Sequence, residues 1–329
     1  MEQETSLPQR PAGGKAPAAS ARRKREQLAH RWTRFGVQAM FFVLTPGLFA
    51  SAFNGVKYLL GQIGATEPIE FVSFLAVLVA LLAFTVVFGR FFCGYACAFG
   101  TLGDVLYAAG EFLRSKTPVP RVKFPEPLVR VLSLVKYVIL VGICVACFAG
   151  AWQTVSHDSP WVAFAGFTSG SLEGIEPAAF ALLGLVALGM LLRERSFCQF
   201  LCPMGAVFSL MPVLGFSEFT RTRAHCAPRC GRCHDVCPVS IWPDADALAH
   251  GECISCGRCA DACPMRNINL VSVPKAGEQP ESRPQRKTSE KWWLLRGTGT
   301  GVVLAKAVLL LTVCWAIGAT RYLPPIPFG

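Results

Sequence analysis

"RFFCGYACAFG", residues 90–100, returns as "RSFCQFLCPMG", residues 195–205, without gaps at an offset of 105 residues. Arg90 falls on Arg195, Phe92 on Phe197, Cys93 on Cys198, Cys97 on Cys202 and Gly100 on Gly205. Self-similarity at one offset marks a duplicated structural unit, and the surroundings of the two copies tell what kind of unit it is. Each copy follows a long apolar run and precedes a helix-compatible stretch, "TLGDVLYAAGEFL" in the first half and "AVFSLMPVLGF" in the second.

Around the duplication the chain reads as a membrane protein. Of its 329 residues 52% are hydrophobic and only 16% are charged, well below the charged share of soluble domains. Apolar segments long enough to cross a bilayer, about 20 residues each, fall at about 36–60, 71–89, 131–152, 177–193 and 299–319. Lys57, Lys136 and Lys306 lie near enough to their ends to snorkel to an interface. Lys and Arg then set the orientation. Eight lie in the N-terminal tail, none in "GQIGATEPIE", five between 114 and 130, none between 153 and 176, and fourteen between 193 and 296. With five spans, the tail and the 193–296 segment are expected inside and the basic-free loops and the C-terminus outside. The charge of +11 is spread over every inside segment instead of forming one patch with interleaved aromatics, which argues against nucleic acid as a partner. The N-terminus lacks the pattern of a cleaved signal peptide.

The domain plan that follows is a disordered basic tail (1–34), a first membrane repeat (35–112), a second (113–215), a small cysteine-rich domain (216–272), a linker (273–298), a fifth span (299–319) and a short outer tail (320–329). The expected fold class is mostly α: five spans in two parallel repeats, with a small cytoplasmic α+β domain before the last span. Parallel repeats are related by an axis along the membrane normal, which would bring both C-x3-C pairs to one depth at the cytoplasmic edge. Residues four apart share a helix face, so Cys93, Cys97, Cys198 and Cys202 can turn four thiols toward the repeat interface. Three readings stay open for them: small packing residues, a redox-active dithiol pair, or the ligands of a membrane-edge iron–sulfur cluster.

"CISCGRCADACP", residues 253–264, has the C-x2-C-x2-C-x3-C-P spacing of bacterial ferredoxins. Three thiolates wrap one cluster and the fourth reaches a second, so a partner run is required. It stands at 226–238, "CAPRCGRCHDVCP", with three residues instead of two between Cys226 and Cys230. By the crossover rule one 4Fe–4S cluster takes Cys226, Cys230, Cys233 and Cys263, and the other takes Cys253, Cys256, Cys259 and Cys237. Cys230, Cys233 and His234 also spell a haem-attachment motif. That attachment occurs outside, whereas this segment is expected inside, and both cysteines are already needed for a cluster. So small a domain lacks a core of its own and is expected to unfold without its iron and sulfide.

With the repeat and both runs in hand, the chain resembles the NapH/MauN family of ferredoxin-type membrane proteins. The resemblance rests on "FCGYACAFG", "FCQFLCPMG" and the two Cys-Pro-terminated runs, and covers about residues 35–270. Ala98 departs from the proline that the family carries after the second cysteine, which Pro203 supplies in the other half. The flavin domain of the nitrous-oxide-reductase regulator type and the outer domain of the copper-reductase type have no counterpart. The resemblance implies a protein of the bacterial cytoplasmic membrane, in contact with lipid and the quinone pool, that takes electrons from quinol and passes them through its clusters. The recipient would be an iron–sulfur or haem partner or a reductase. An assembly factor for a metalloenzyme and a cysteine-based copper or iron reductase are the alternatives, the latter acting through Cys93, Cys97, Cys198 and Cys202. Cys144, Cys147 and Cys314, inside apolar spans, read as packing residues. His157 and Asp158 read as a solvated outer loop, and Asp244 as a cap on a short helix between the runs.

Overall fold

The computed structural model describes residues 17–70, 72–116, 124–151, 159–171, 174–212, 218–221, 226, 230–242, 251–264, 268–271 and 299–320. His157, Asp158, Asp244, the linker and the C-terminal tail after Thr320 lie outside them.

The protein is mostly helical. The helices of the first half are α1 (Pro17–Leu44), α2 (Leu48–Ala65), α3 (Ser73–Phe88) and α4 (Ala98–Lys116). Those of the second are α5 (Glu126–Phe148), α6 (Pro160–Ser169), α7 (Pro177–Leu192) and α8 (Pro203–Leu210). Strand β1 (Glu218–Arg221), short helices α9 (Arg232–Asp235) and α10 (Arg258–Ala262), strand β2 (Ile268–Val271) and helix α11 (Thr300–Ala316) follow. The two strands pair antiparallel, Glu218 against Val271 and Arg221 against Ile268, and bracket the cysteine-rich segment.

Two expectations are corrected. The tail expected to be disordered through residue 34 is helical from Pro17, and Gln27, His30 and Arg34 on it contact the rest of the chain. The first expected span, 36–60, is not one helix: α1 and α2 meet at a 62° bend. The cause is "TPG" at 45–47. Pro46 has no N–H to give and its ring clashes with the preceding turn, while the Thr45 hydroxyl folds back onto the Phe41 carbonyl (3.0 Å). Elsewhere proline starts helices, where its missing N–H costs nothing. In α6, Ser159 also accepts from the Trp161 N–H.

By length and composition α5 is able to cross a membrane as a single helix, the bent α1–α2 pair is another candidate, and α3, α7 and α11 are shorter apolar helices. Only 17% of the most apolar stretch of α5 is buried. Val131, Leu134, Val138, Val141, Val145 and Phe148 form an exposed stripe at spacings of three and four. Soluble domains cover such a face.

Two of the three lysines expected to snorkel are turned inward, and Lys57 is half-buried. Lys136 is 0% exposed and Lys306 6%. The two halves meet over an aromatic core in which Phe99 stacks on Phe197 (centroids 4.9 Å) and Phe92 meets Phe208 edge-on (5.8 Å).

Candidate metal centre

The C-x3-C pairs stand on π-helical turns, not on the α-helical face that their spacing predicts. Phe92–Ala96 and Phe197–Leu201 are each one widened turn, closed by the Cys97 N–H on the Phe92 carbonyl and the Cys202 N–H on the Phe197 carbonyl (2.9 Å each). Such turns are rare and concentrate at functional sites. Cys97 and Cys202 then leave the turn extended, at φ −73°, ψ 123° and φ −74°, ψ 112°. In the second half Pro203 enforces that extension on the residue before it. Ala98 permits the same turn without proline, so the departure at this position leaves the geometry unchanged.

The four thiols come together and are buried, each 6–7% exposed. Burial pushes the Cys97, Cys198 and Cys202 thiols up, and their closeness adds to it: Cys97 feels Cys198 and Cys93, and Cys202 feels Cys198, Cys97 and Cys93. Arg195 opposes this at Cys97 and Cys198. The Gly205 N–H donates to the Cys202 sulfur (3.2 Å), and the Gly100 N–H does the same at Cys97.

Two arginines frame the thiols in a pseudo-symmetric lock. Arg195, 1% exposed, reaches across to the first half. It donates twice to Asp104 (2.7 Å each), to the Cys93 carbonyl (2.6 Å) and to the Gly94 carbonyl (3.4 Å). Its φ of +57° is a left-handed position that few side-chain-bearing residues adopt, and these bonds hold it there. Arg90, 2% exposed, reaches the opposite way, to the Gly251 carbonyl (3.0 Å) and Glu252 (3.4 Å). The repeat's matched glycines make room: a Cβ on Gly100 would lie 2.1 Å from the Arg195 guanidinium, and one on Gly205 3.1 Å from that of Arg90. Among the described residues the Nε of Arg90 is buried without a hydrogen-bond partner. Four thiolates on an iron–sulfur core leave net negative charge, which in a buried site must be offset by cations and donors. Two buried guanidiniums, an orphaned N–H and two N–H···S bonds fit that requirement.

The cysteine-rich segment holds two further groups. Cys226, Cys230, Cys233 and Cys263 line one cavity with Arg232, Pro264 and Ile268, about 270 Å³ of space that includes open solvent. Cys226 therefore faces its expected partners despite the additional residue in its run. Cys237, Cys253, Cys256 and Cys259 form the other group. Burial and then Cys256 push Cys237 up to about 11 and Cys253 up to about 12, and Cys259 is raised by burial, Cys256, Cys253 and Cys237. N–H groups of Val239, Ser240, Ile241, Ser255 and Ala260 bond these sulfurs. The loop between them turns through left-handed positions at Ser255 (φ +52°) and Gly257 (φ +73°). All fifteen cysteines are free of disulfides. Among the described residues no three Cys, His, Asp or Glu side chains close on a single ion, whereas a 4Fe–4S core spreads its four thiolates over separate irons.

The second group abuts the buried thiols. Tyr95, beside Cys93, donates to the Cys256 carbonyl (3.1 Å), and Gln199, beside Cys198, donates to the Val239 carbonyl (2.6 Å). Arg193 bonds Ser240 (3.0 Å) and Arg258 pairs with Glu194. From α1, Gln27 donates to the Asp261 carbonyl (2.6 Å) and His30 meets its carboxylate (2.7 Å). Gly94 allows the closest approach, because a Cβ there would stand 2.4 Å from the Ile254 carbonyl oxygen. Gly94→Ala is therefore expected to lift the 251–264 segment off the repeats at a cost of about 1–3 kcal/mol. Hydrogen exchange should show it as faster amide exchange there; unchanged exchange refutes the contact.

His234, the histidine of the haem-attachment motif, stacks on Trp242 (4.6 Å) and lies 4.0 Å from Glu126. Cys144 and Cys147 lie on α5, with Lys57 near Cys147, and Cys314 is buried on α11. Sequence reasoning missed Asp104 and Glu252. The signals available were an acid one turn past the first repeated element, Asp104, and an acid directly before a cysteine run, Glu252.

Mostly helical architecture, a duplicated cysteine turn and two further cysteine groups define an iron–sulfur protein of ferredoxin type. A sequence model of the 4Fe-4S binding domain family matches residues 71–120 and 175–215, the two stretches that carry the C-x3-C turns. The protein NirI of Paracoccus denitrificans is 30% identical over 192 residues, 57% of this chain and 26% of its own. The methylamine utilization ferredoxin-type protein MauN of Methylorubrum extorquens is 26% identical over 169 residues, 50% of this chain and 53% of its own. The ferredoxin-type protein NapH of Escherichia coli is 26% identical over 235 residues, 64% and 76%. The chain spans about a quarter of NirI and about half of MauN. No solved structure matches. These relatives and the matched 4Fe-4S domain support a NapH/MauN-type, ferredoxin-like family for the chain.

Proposed function

We propose that this chain is a multi-pass membrane protein of the bacterial cytoplasmic membrane that oxidises quinol and delivers the electrons, through iron–sulfur clusters on its cytoplasmic side, to a partner redox protein or reductase. The observation that carries the reading is the set of four buried thiols framed by Arg90 and Arg195 and backed by the Cys237/Cys253/Cys256/Cys259 group. Five apolar helical segments, with Lys and Arg concentrated in alternate connecting segments, support the spanning topology, and the paired strands around the cysteine-rich segment support a small α+β domain.

Clusters would be held by Cys226, Cys230, Cys233 and Cys263, by Cys253, Cys256, Cys259 and Cys237, and at the membrane edge by Cys93, Cys97, Cys198 and Cys202. When bound, they accept and pass single electrons; oxidation of a quinol to quinone releases two electrons and two protons, the protons passing to water. Tyr95 and Gln199 hold the second set against the membrane-edge thiols. The first set faces the open cavity, and that order supports exit through the Cys226/Cys263 side. Arg90 and Arg195 neutralise the buried site and Gly94 lets the segments close.

Iron and acid-labile sulfide content with EPR tests this on wild type and on the fourfold variant Cys93→Ser, Cys97→Ser, Cys198→Ser, Cys202→Ser. The variant should lose about four irons per chain, and a quinol analogue should reduce the wild-type clusters. Unchanged iron in the variant removes the membrane-edge cluster; wild-type clusters that no quinol reduces remove the quinol reading.

A further inference from the structure

We propose that Lys306 and the aromatic wall beside it form the headgroup site for the quinol. The inference rests on the quinol reading above and assigns that substrate a place which no cysteine motif marks.

Lys306 lies seven residues into α11, an otherwise apolar helix, and is 6% exposed. Among the described residues it makes no hydrogen bond or ion pair; its ammonium lies 5.4 Å from the centroid of the Phe88 ring. The other deeply buried cations of this region are answered: Lys136 and Arg90 by Glu252, Arg195 by Asp104. An ammonium on so enclosed a side chain, without an oxygen acceptor, is costly, so its retention points to an acceptor that arrives with a ligand.

The surroundings narrow that ligand. Phe88 packs on Phe84 (4.5 Å), Phe84 on Phe91 (6.0 Å) and Phe91 stacks on Tyr95 (4.5 Å, 15°). Tyr95 donates to the backbone of Cys256. A ligand at Lys306 therefore sits at one end of an aromatic run whose other end touches a cluster-ligand residue. A quinone headgroup is a flat ring with oxygens that accept hydrogen bonds, suited to an aromatic face and an ammonium donor together. Leu304 (46% exposed) and Val308 (58%) on the same helix present apolar surface to which an isoprenoid tail can lie. A lipid phosphate would call for more than one cation and has no use for the ring wall.

The test uses the full chain, cluster-loaded, in nanodiscs of zwitterionic lipid, labelled by light with an azido-substituted short-chain benzoquinone. Label should fall on peptides of α3 or α11 and be displaced by decylubiquinol. Lys306→Met should raise the half-labelling concentration about tenfold or more, the worth of one charged hydrogen bond, and Lys306→Arg should largely retain it. Iron content and dithionite-reducible EPR signal should be the same in all three, because an apolar residue on an apolar helix disturbs no cluster ligand. Unchanged labelling in Lys306→Met, or wild-type label elsewhere, overturns the site; if decylubiquinol still reduces the clusters, the quinol reading survives it. Label displaced by phosphatidylglycerol but not by decylubiquinol assigns Lys306 to lipid and overturns the site as well. Absence of both quinone labelling and cluster reduction by quinol overturns the quinol reading itself.

Discussion

Asp104→Ala should destabilise the protein by about 3–5 kcal/mol, the cost of leaving one member of a buried ion pair without its counter-charge. Asp104 accepts from Arg195 twice, from Arg34 (3.1 Å) and from Gln38 (2.7 Å). Arg195 is 1% exposed and already strained at φ +57°, so it has no route to water. Denaturant unfolding in detergent measures the loss. The double variant Asp104→Ala with Arg195→Met should recover most of it, since an apolar replacement of both partners is often close to neutral. Loss under about 0.5 kcal/mol in the single variant would be that of an ordinary surface change and would refute the lock. Acid should act through the same group. Burial alone would raise the Asp104 carboxyl, but Arg195 and then Arg34 hold it down to about 2, against an ordinary value of 3.8. A carboxyl lowered on folding contributes in full above its unfolded value and loses that contribution as pH falls through its folded one. Wild type should therefore shed stability between pH 3.8 and about 2, and Asp104→Asn should lack that component.

The offset of 105 residues carried more of the site than any single motif. It matched Arg90 with Arg195 and brought the two cysteine pairs to one depth facing the repeat interface, because duplicated elements fold alike and are related by one axis. Crossover spacing likewise grouped Cys237 with the run at 253–259, and the structure brings those four side by side. Spacing alone could not reveal the π turns. A C-x3-C pattern fits an α-helix equally well, and the widened turn is decided by Cys97 and Cys202 leaving it extended to open the next helix. The bend at Thr45–Gly47 was present in "TPG" but hidden by the length of the apolar run. Helix in α1 escaped notice because its first turns are basic and alanine-rich, and are held by Gln27, His30 and Arg34 to partners as much as 234 residues away. Long-range polar contacts of that kind leave no local periodicity to read. Position along their spans places Lys136 and Lys306 at an interface, whereas the packing turns both inward.

Glu252→Ala should have the second large effect, and the repeat explains why. In the first half, Asp104 is gripped by the arginine of the opposite turn, Arg195, and by a cation from its own half's leading helix, Arg34 of α1. The residue at the matching position of the second half is Ser209, which cannot answer Arg90. Glu252, one residue before Cys253, takes that place: it pairs with Arg90 of the opposite turn and with Lys136 of α5, the leading helix of the second half. Tyr137 donates to it (3.1 Å) and bonds Ser209 (2.8 Å) in the same network. The cysteine-rich segment thus supplies the acid that the second repeat lacks, and its docking is coupled to charge balance inside the helices. Removing Glu252 leaves both Arg90 and the fully buried Lys136 uncompensated, so a loss of about 3–5 kcal/mol is expected. It should appear at the interface first, as rapid proteolysis and hydrogen exchange of 251–264 while the helices hold. Lys136→Met combined with Glu252→Gln should restore much of the docking, because the glutamine can still accept from Arg90 and no lysine is left buried. If Glu252→Ala alone keeps the segment protected, the carboxylate is not what fastens it, and the backbone bonds of Tyr95 and Gln199 suffice.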